Sequence, residues 1–292
     1  MPVARVLTLL GLALALGACD ATPTAGPLPP LVQAPTVGAP AGPSVGGATT
    51  PSAQVQARID AANAAYRLGN FQQALSEAQE GIKLDPRNAE IQYLAANAYN
   101  QLGGMSSDTA SRNNLFQSAI AAYLKTIELN PRKDEAMTNL ATVYYQLGQL
   151  DEAQKRAEQA LTISPNDVTT HYVLGTVHLQ RSTGTSGAAT DAAAREFEAV
   201  IKLDPRFPAA YIGLSTVYLF RNDAANALTN AQKGVELLSG NADAFSLWAL
   251  AQAQCKAADV ANGSRTLTRI LSMNVPDARF RAEVQKLQTT CK

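Results

Sequence analysis

Histidine and cysteine are scarce in this sequence, which has two histidines and three cysteines among its 292 residues. His171 and His178 lie seven residues apart, so on a helix they would be about 10 Å apart and could not bind one metal ion. We interpret both as packing residues. The sequence also lacks a glycine-rich phosphate loop, a His-Glu-x-x-His pattern and a Gly-x-Ser-x-Gly pattern. We therefore expect no enzyme activity, no cofactor, no metal site and no small-molecule substrate.

An excess of charge of one sign is also missing. The chain has 24 basic and 24 acidic side chains, and the two kinds alternate along the sequence. A nucleic-acid-binding surface needs a basic stripe or patch, so we expect no nucleic-acid partner. The cations are too dispersed to predict binding to acidic lipids.

The longest apolar run at the N-terminus, Val6–Ala18, is too short to cross a bilayer as a helix. It follows a single basic residue, Arg5, which is typical of a secretion signal over residues 1–18. The run ends in Leu-Gly-Ala before Cys19, which resembles the bacterial lipoprotein signal. That resemblance implies cleavage before Cys19 and a lipid on its sulfur, with palmitate among the acyl chains. The alternative is an ordinary cleaved signal.

Residues 19–54 are rich in Pro, Gly, Ala, Thr and Ser, and they contain no Lys or Arg. They show no helical period, which predicts a disordered tether. A flexible coil of about 35 residues spans roughly 30 Å on average. We expect an exported protein, anchored by lipid on the extracytoplasmic face of a bacterial membrane. Asp20 favours the inner membrane only weakly, so the choice between inner and outer membrane stays open.

A short phrase that ends in proline recurs after this segment. Pro86, Pro131 and Pro205 each follow Leu-Asp or Leu-Asn, a looser copy ends at Pro165, and Pro131 and Pro165 are 34 residues apart. A repeat of this period predicts an array of small helical units. In Asp134–Pro165, apolar residues recur at helical spacing on both sides of Gly148, which indicates two antiparallel helices.

With its small residues in phase, such as Ala141, Ala153 and Ala160, this unit resembles a tetratricopeptide repeat. The resemblance implies an all-α, right-handed α-solenoid of about six helix-turn-helix repeats, because one helix pair cannot bury both of its apolar faces. The repeats would span residues 55–88, 89–133, 134–167, 168–207, 208–241 and 242–275. Residues 276–292 would form a capping helix. Insertions near 104–114 and 182–188 would project as loops from one edge of the array.

Two cysteines remain if Cys19 bears lipid, and an exported chain can pair them. In an array of this kind, the helix that ends near Cys255 and the capping helix that ends near Cys291 are parallel neighbours. We therefore predict a Cys255–Cys291 disulfide. The alternative is a buried, free Cys255 beside a loose Cys291.

The first helices of tetratricopeptide repeats line a concave groove, and mapping the repeat onto this chain gives an almost uncharged strip. The predicted groove residues are Ile59, Asn63, Tyr66, Tyr93, Asn97, Asn100, Gln101, Thr138, Thr142, Tyr145, Gln146, Tyr172, Thr176, Leu179, Gln180, Ile212, Thr216, Leu219 and Phe220. Relatives that bind acidic C-termini hold the carboxylate with cations at such positions, and those cations are missing here. Amides and rings suit a neutral peptide. The alternative is that several of these side chains only pack between helices.

The sequence therefore predicts a membrane-anchored scaffold that binds a peptide or protein in its groove. By analogy with lipoproteins of this repeat class, it would act in envelope, pilus or secretion complex assembly. The other hypothesis is a structural or self-associating subunit that uses its convex face and inserted loops.

Overall fold

The computed structural model describes residues 51–182, 186–275 and 277–291. Helices are the only regular secondary structure in this part of the chain, and no strand occurs in it. The helices are α1 Pro51–Arg67, α2 Phe71–Leu84, α3 Ala89–Met105, α4 Thr109–Leu129, α5 Asp134–Gln146, α6 Leu150–Ile163, α7 Val168–Arg181, α8 Ala188–Leu203, α9 Pro208–Phe220, α10 Ala224–Leu237, α11 Ala244–Lys256, α12 Val260–Ser272 and α13 Ala278–Thr290. The predicted all-α class, built of helix-turn-helix pairs, is confirmed.

The helices begin at side chains that cap them. Asn88, Asp167 and Asp243 each accept hydrogen bonds from backbone N–H groups in the first turn of the helix that follows. Those groups have no partner inside the helix, so a polar cap stabilises the start by about 1 kcal/mol. Asn70, Asp108, Asp223 and Asp277 do the same for α2, α4, α10 and α13.

The Leu-Asp-Pro and Leu-Asn-Pro phrases end the second helix of three pairs. Helices α2, α4 and α8 stop two residues before Pro86, Pro131 and Pro205. The preceding Asp or Asn side chain then accepts the N–H of the residue after the proline, at 3.0, 3.2 and 2.9 Å. Because proline cannot continue the hydrogen-bond ladder, this side-chain turn fixes where the chain changes direction.

The turn inside several pairs requires a left-handed backbone. Gly69 and Gly148 adopt φ of 74° and 72°, and Asn222 and Ala258 adopt 61° at the corresponding turns. Glycine and asparagine tolerate this region, whereas alanine is strained there. The turn of the last pair is therefore the least favourable of the four.

Two compact units divide the described chain within α5, between Val143 and Tyr144. In the first unit, α1–α2 and α3–α4 are antiparallel pairs, and α1 also contacts α3. Its core contains Ile59, Ala62, Leu75, Ala78 and Ile91. In the second unit, α7 contacts α9 and α9 contacts α11, so the first helices of successive pairs are neighbours.

The structure changes three details of the sequence prediction. Helix α1 already begins at Pro51, four residues before the expected start of the array. The first insertion is not a loop, because α3 continues to Met105 and α4 begins at Thr109, which leaves only residues 106–108 outside a helix. In the sixth repeat, the phase of the small residues predicts that Ala261 packs between helices, but Ala261 is exposed and Gly263 is the buried small residue.

Candidate partner-binding surface

The tyrosine and amide side chains expected in the groove of the first unit form a sealed network instead. Tyr93 is 2% exposed and Asn97 is 6% exposed. The Tyr123 hydroxyl donates to Asn97 Oδ1 at 2.7 Å. Asn139 Nδ2 donates to the Tyr93 hydroxyl and to Asn97 Oδ1, both at 3.1 Å. These groups satisfy one another inside the unit, as buried polar groups must.

This network corrects the prediction for three residues of the groove. Tyr93, Asn97 and Asn100 are all buried and cannot contact a partner. Thr142 is also buried, and its hydroxyl donates to the carbonyl of Thr138 at 3.1 Å. Helical spacing predicts which residues share one face of a helix, but here neighbouring side chains cover that face.

A smaller part of the predicted strip stays partly open in the first unit. Asn63, Tyr66 and Gln101 are half-buried. Gln101 Nε2 donates to the Tyr66 hydroxyl at 3.1 Å, and the Tyr66 ring packs edge-on against Phe71 with centroids 5.1 Å apart. Burial raises the pKa of Tyr66 to about 12, and the bond from Gln101 partly opposes that rise. The hydroxyl is therefore neutral at physiological pH.

In the second unit, two more expected groove residues are buried. Tyr145 is 4% exposed and Phe220 is 9% exposed. Burial raises the pKa of Tyr145 far above its ordinary value, and Tyr172 adds to the shift, while a bond with Thr176 opposes it. Ile212 and Thr216 are buried as well. Tyr145 and Phe220 are packing residues, which corrects their assignment to the groove.

Five side chains of α7 and α9 remain half-buried and form what we name the α7–α9 strip: Tyr172, Thr176, Leu179, Gln180 and Leu219. The Tyr172 ring packs against Phe197 and Phe207, with centroids 6.0 and 5.2 Å apart. Burial raises the pKa of Tyr172 to about 12, and the Asp243 carboxylate adds to the rise. None of the five side chains is charged, so the strip is uncharged and partly aromatic.

Two glutamines of the predicted strip have unsatisfied acceptors. Gln146 Oε1 and Gln180 Oε1 are buried atoms without a hydrogen-bond partner among the described residues. A buried polar atom of this kind costs about 1–3 kcal/mol unless something donates to it. Both residues are half-buried as a whole, although these two oxygen atoms are themselves buried.

Three hydrogen bonds that the sequence analysis missed join neighbouring helix pairs. Gln92 Nε2 and the Tyr211 hydroxyl each donate to the carbonyl of the proline six residues earlier, at 3.1 Å. His171 Nε2 lies 2.9 Å from the Pro165 carbonyl in the same way, and its Nδ1 lies 2.7 Å from Glu196. The recurring six-residue spacing from each proline to a polar side chain was the signal for these bonds.

The predicted cysteine pair is bonded in the structure. Cys255 at the end of α11 and Cys291 after α13 form a disulfide with Cα atoms 5.1 Å apart. Gly263 of α12 lies directly beneath it, since a Cβ there would come within 2.8 Å of one sulfur and 2.9 Å of the other. The bond therefore fastens the last helix to the pair before it. Cys19, the predicted lipid site, lies outside the described residues.

The described part of the chain offers little else to a small ligand. It contains no group of three or more His, Cys, Asp and Glu side chains arranged for a metal ion. A groove of about 360 Å³ lies between α2, α3 and α4, where Ile82, Ala95 and Tyr99 line it with Gln79 and Gln92. No described helix is both long enough and apolar enough to cross a membrane.

Family models identify the repeats. Tetratricopeptide repeat models match residues 59–107 and 122–155, and a further model of the repeat matches residues 141–181. The chain is a tetratricopeptide repeat protein. Such repeats form scaffolds for protein–protein interaction and are typically not catalytic. A search of curated proteins found no match.

Solved structures share the fold of this tetratricopeptide repeat protein at low sequence identity. PilF of Pseudomonas aeruginosa is 18% identical, with a TM-score of 0.65 over 82% of this chain and 99% of PilF. PilW, described as a widely conserved type IV pilus biogenesis factor, is 14% identical, with a TM-score of 0.64 over 79% of this chain and 98% of PilW. MamA of Desulfovibrio magneticus RS-1 is 18% identical, with a TM-score of 0.53 over 65% and 98% of the two chains. These likenesses show the fold alone.

Proposed function

We propose that this tetratricopeptide repeat protein is a membrane-tethered scaffold that binds an uncharged segment of a protein partner. The observation on which this rests is the α7–α9 strip, which combines one half-buried ring and two aliphatic side chains with a glutamine amide whose acceptor has no partner among the described residues. An extended peptide supplies what such a surface needs, because its backbone N–H groups can donate to the amide and its apolar side chains can pack on the ring.

The membrane tether in this proposal is supported by the sequence alone. The Leu-Gly-Ala-Cys19 pattern favours acylation of Cys19, and residues 20–50 would link that anchor to α1. PilW is a pilus biogenesis factor with the same fold. By analogy with the role of PilW, we propose that this chain acts in the assembly of an envelope, pilus or secretion complex on the extracytoplasmic side.

Photo-crosslinking in cells tests the binding surface. A photoreactive residue at Leu179 or Leu219 should give a discrete adduct, because both positions lie in the strip. The matched control is the same residue at Arg195 or Lys202, which are exposed on α8 of the same unit. Equal adducts from both pairs of positions would contradict the strip as the binding surface.

Leu179 and Leu219 are better probe positions than the tyrosines, because Tyr93 and Tyr145 are buried and Tyr172 packs on two phenylalanines. The tether is tested separately by feeding cells an alkyne-labelled fatty acid. Wild-type chain should become labelled and the Cys19→Ser variant should not. A labelled Cys19→Ser variant would refute this anchor and leave the crosslinking result untouched.

One observation favours the second candidate function, a self-associating subunit. Leu68 is 85% exposed and Met105 is 64% exposed, and they lie at the ends of the neighbouring helices α1 and α3. Met105 belongs to the first insertion. If this edge joins two copies, the Leu68→Gln and Met105→Gln double variant should be a monomer in sedimentation velocity where the wild type is a dimer.

A further inference from the structure

Positive charge is concentrated at the C-terminal end, although the whole chain is neutral. Residues 256–292 contain seven basic and three acidic side chains, whereas residues 51–255 contain sixteen basic and twenty acidic ones. Five of these cations are exposed on α12 and α13, and we name them the C-terminal basic face: Arg265, Arg269, Arg279, Arg281 and Lys286. The net charge of zero for the whole sequence gives no sign of this cluster, because the acidic excess of residues 51–255 offsets it.

Two of the three acidic side chains near this face accept hydrogen bonds from neutral groups, and the third lies near one of its cations. Asp277 caps α13 by accepting from the backbone N–H groups of Arg279 and Phe280, at 2.8 and 3.1 Å. Both carboxylate oxygens of Asp259 accept from Asn262 Nδ2, at 3.0 and 2.7 Å. Glu283 lies 3.8 Å from Lys286, in a long ion pair. With seven basic and three acidic side chains in residues 256–292, the region keeps an excess of positive charge.

The arginines themselves are bonded only to neutral acceptors. Arg265 donates to the side-chain oxygen of Asn262 and to the Ala261 carbonyl, and Arg269 donates to the Gly240 carbonyl at 3.4 Å. Within the described residues, the side chains of Arg279 and Arg281 have no ion pair. The face thus presents guanidinium groups that a partner can reach.

The three arginines Arg265, Arg269 and Arg281 lie on one side of the α12–α13 pair. Arg265 and Arg269 are one turn apart on the exposed face of α12. Gln288 Nε2 donates to Thr268 Oγ1 of that face at 3.0 Å. Arg281 precedes Gln288 by seven residues, so it lies on the same side of α13.

The pair is a fixed platform for these charges. The disulfide joins α13 to α11, the Trp248 and Phe280 rings pack with centroids 5.7 Å apart, and Val284 is fully buried. Cations on such a platform keep their spacing when they bind a charged surface.

The chemistry of the face fits headgroups better than a folded protein. In the described chain, the exposed large apolar side chains are Leu68, Leu84, Met105, Leu124 and Leu203, and none of them lies on α12 or α13. Protein interfaces depend on buried aromatic or aliphatic anchors, whereas a fluid anionic surface needs only cations near it. We propose that the C-terminal basic face binds the anionic headgroups of a phospholipid bilayer. The idea rests on the proposed tether, which would hold this face close to a membrane.

Vesicle binding without the lipid anchor tests the proposal. The chain from residue 19, with Cys19→Ser, is mixed with vesicles of phosphatidylcholine containing about one-third phosphatidylglycerol, or with phosphatidylcholine alone. We expect the chain to sediment with the anionic vesicles only. Binding should weaken as salt is raised, because exposed charges are screened over about 10 Å at 0.1 M salt. Equal binding to both vesicles would overturn the proposal.

A matched pair of variants locates the surface. Replacing Arg265, Arg269 and Arg281 with Gln should lower the partition onto anionic vesicles by about tenfold or more. The control replaces Arg87, Arg132 and Arg206 with Gln, which are exposed elsewhere and remove the same charge. The control should bind as the parent chain does, with equal helicity by circular dichroism in both variants.

Three other outcomes would contradict the proposal and indicate a different role for the C-terminal basic face. Equal loss of binding in both variants would mean that net charge alone attracts the chain to the vesicles. Salt-sensitive dimers that the first variant abolishes, without vesicle binding by the parent, would make the face an interface between copies. Tighter binding to an oligonucleotide than to vesicles would equally overturn the proposal. None of these results depends on whether Cys19 is acylated. A failure of the vesicle-binding proposal can therefore be distinguished from a failure of the proposed lipid tether.

Discussion

Glycine and phenylalanine set the distance between helices in the second unit. Phe197 of α8 is fully buried. A Cβ at Gly175 of α7 would come within 2.8 Å of its ring, and one at Gly213 of α9 within 2.6 Å. One ring therefore fills the space that two missing side chains leave, and the three helices approach closely because of it.

Gly213→Ala should destabilise the protein by roughly 1–3 kcal/mol, because the new methyl group overlaps the Phe197 ring in a packed core. The loss would appear as a lower urea midpoint when helicity is followed by circular dichroism. Gly104→Ala is the matched control. It lies in helix α3 with nothing within 4 Å of the new Cβ, so it should be neutral or stabilising by up to about 1 kcal/mol. Equal midpoints for Gly213→Ala and wild type would contradict this packing.

At the scale of an element, three helix pairs end in a side-chain turn at Asp85, Asn130 or Asp204, and three proline carbonyls accept a bond from the helix that follows. The Asp-Pro and Asn-Pro turns follow from sequence, because both the proline and the polar residue before it are visible there. The donors Gln92, His171 and Tyr211 are three different residue types. What these donors share is their position in the sequence, six residues after the proline whose carbonyl they contact.

The last helix, α13, is the element that depends most on a covalent bond. The Cys255–Cys291 disulfide closes a separation of 36 residues, which the chain-entropy model values at roughly 3–4 kcal/mol. In the Cys255→Ser and Cys291→Ser double variant, backbone amides of α13 should exchange with deuterium much faster than in the wild type. Amides of α7, which is remote from the bond in sequence, serve as the internal control. Unchanged exchange in α13 would show that its apolar contacts alone hold it.

At the scale of the whole molecule, the pH dependence of stability involves tyrosines that are buried or half-buried and stay neutral in the folded state. The structure raises the pKa values of Tyr66 and Tyr172 to about 12, and it raises those of Tyr93 and Tyr145 further. An unfolded tyrosine ionises near pH 10. Between pH 10 and 12 the unfolded chain therefore binds fewer protons than the folded one, and its population grows as pH rises.

We expect the free energy of unfolding to be constant with respect to these groups below pH 10 and to fall as pH rises from 10 to 12. Urea unfolding at a series of pH values measures this slope. Tyr172→Phe should make the decline shallower, because one of the coupled groups is removed. A free energy that does not change between pH 10 and 12 would show that these hydroxyls are accessible to water in the folded state.

The sequence predicted the repeat class and the helix ends that precede the proline phrases, because each depends on local residue types. The cysteine pair followed from the helix packing that the repeat resemblance implies. Proline ends a helix wherever it occurs, and recurring small residues mark where two helices meet. The candidate site was predicted less well. Asn63, Tyr66, Gln101, Gln146, Tyr172, Thr176, Gln180 and Leu219 are partly open, whereas Tyr93, Asn97, Asn100, Thr142, Tyr145 and Phe220 are buried.

By itself, the sequence determined that this chain folds as stacked helix pairs with an even balance of charge. Which tyrosines are buried, and which arginines lack an ion pair, was decided only by the tertiary structure. Burial depends on how far neighbouring helices cover a face, and hydrogen bonds such as Asn139 to Tyr93 join residues 46 positions apart. Residue spacing along one helix does not determine how far neighbouring helices bury a side chain, nor which residues distant in the sequence become its hydrogen-bond partners.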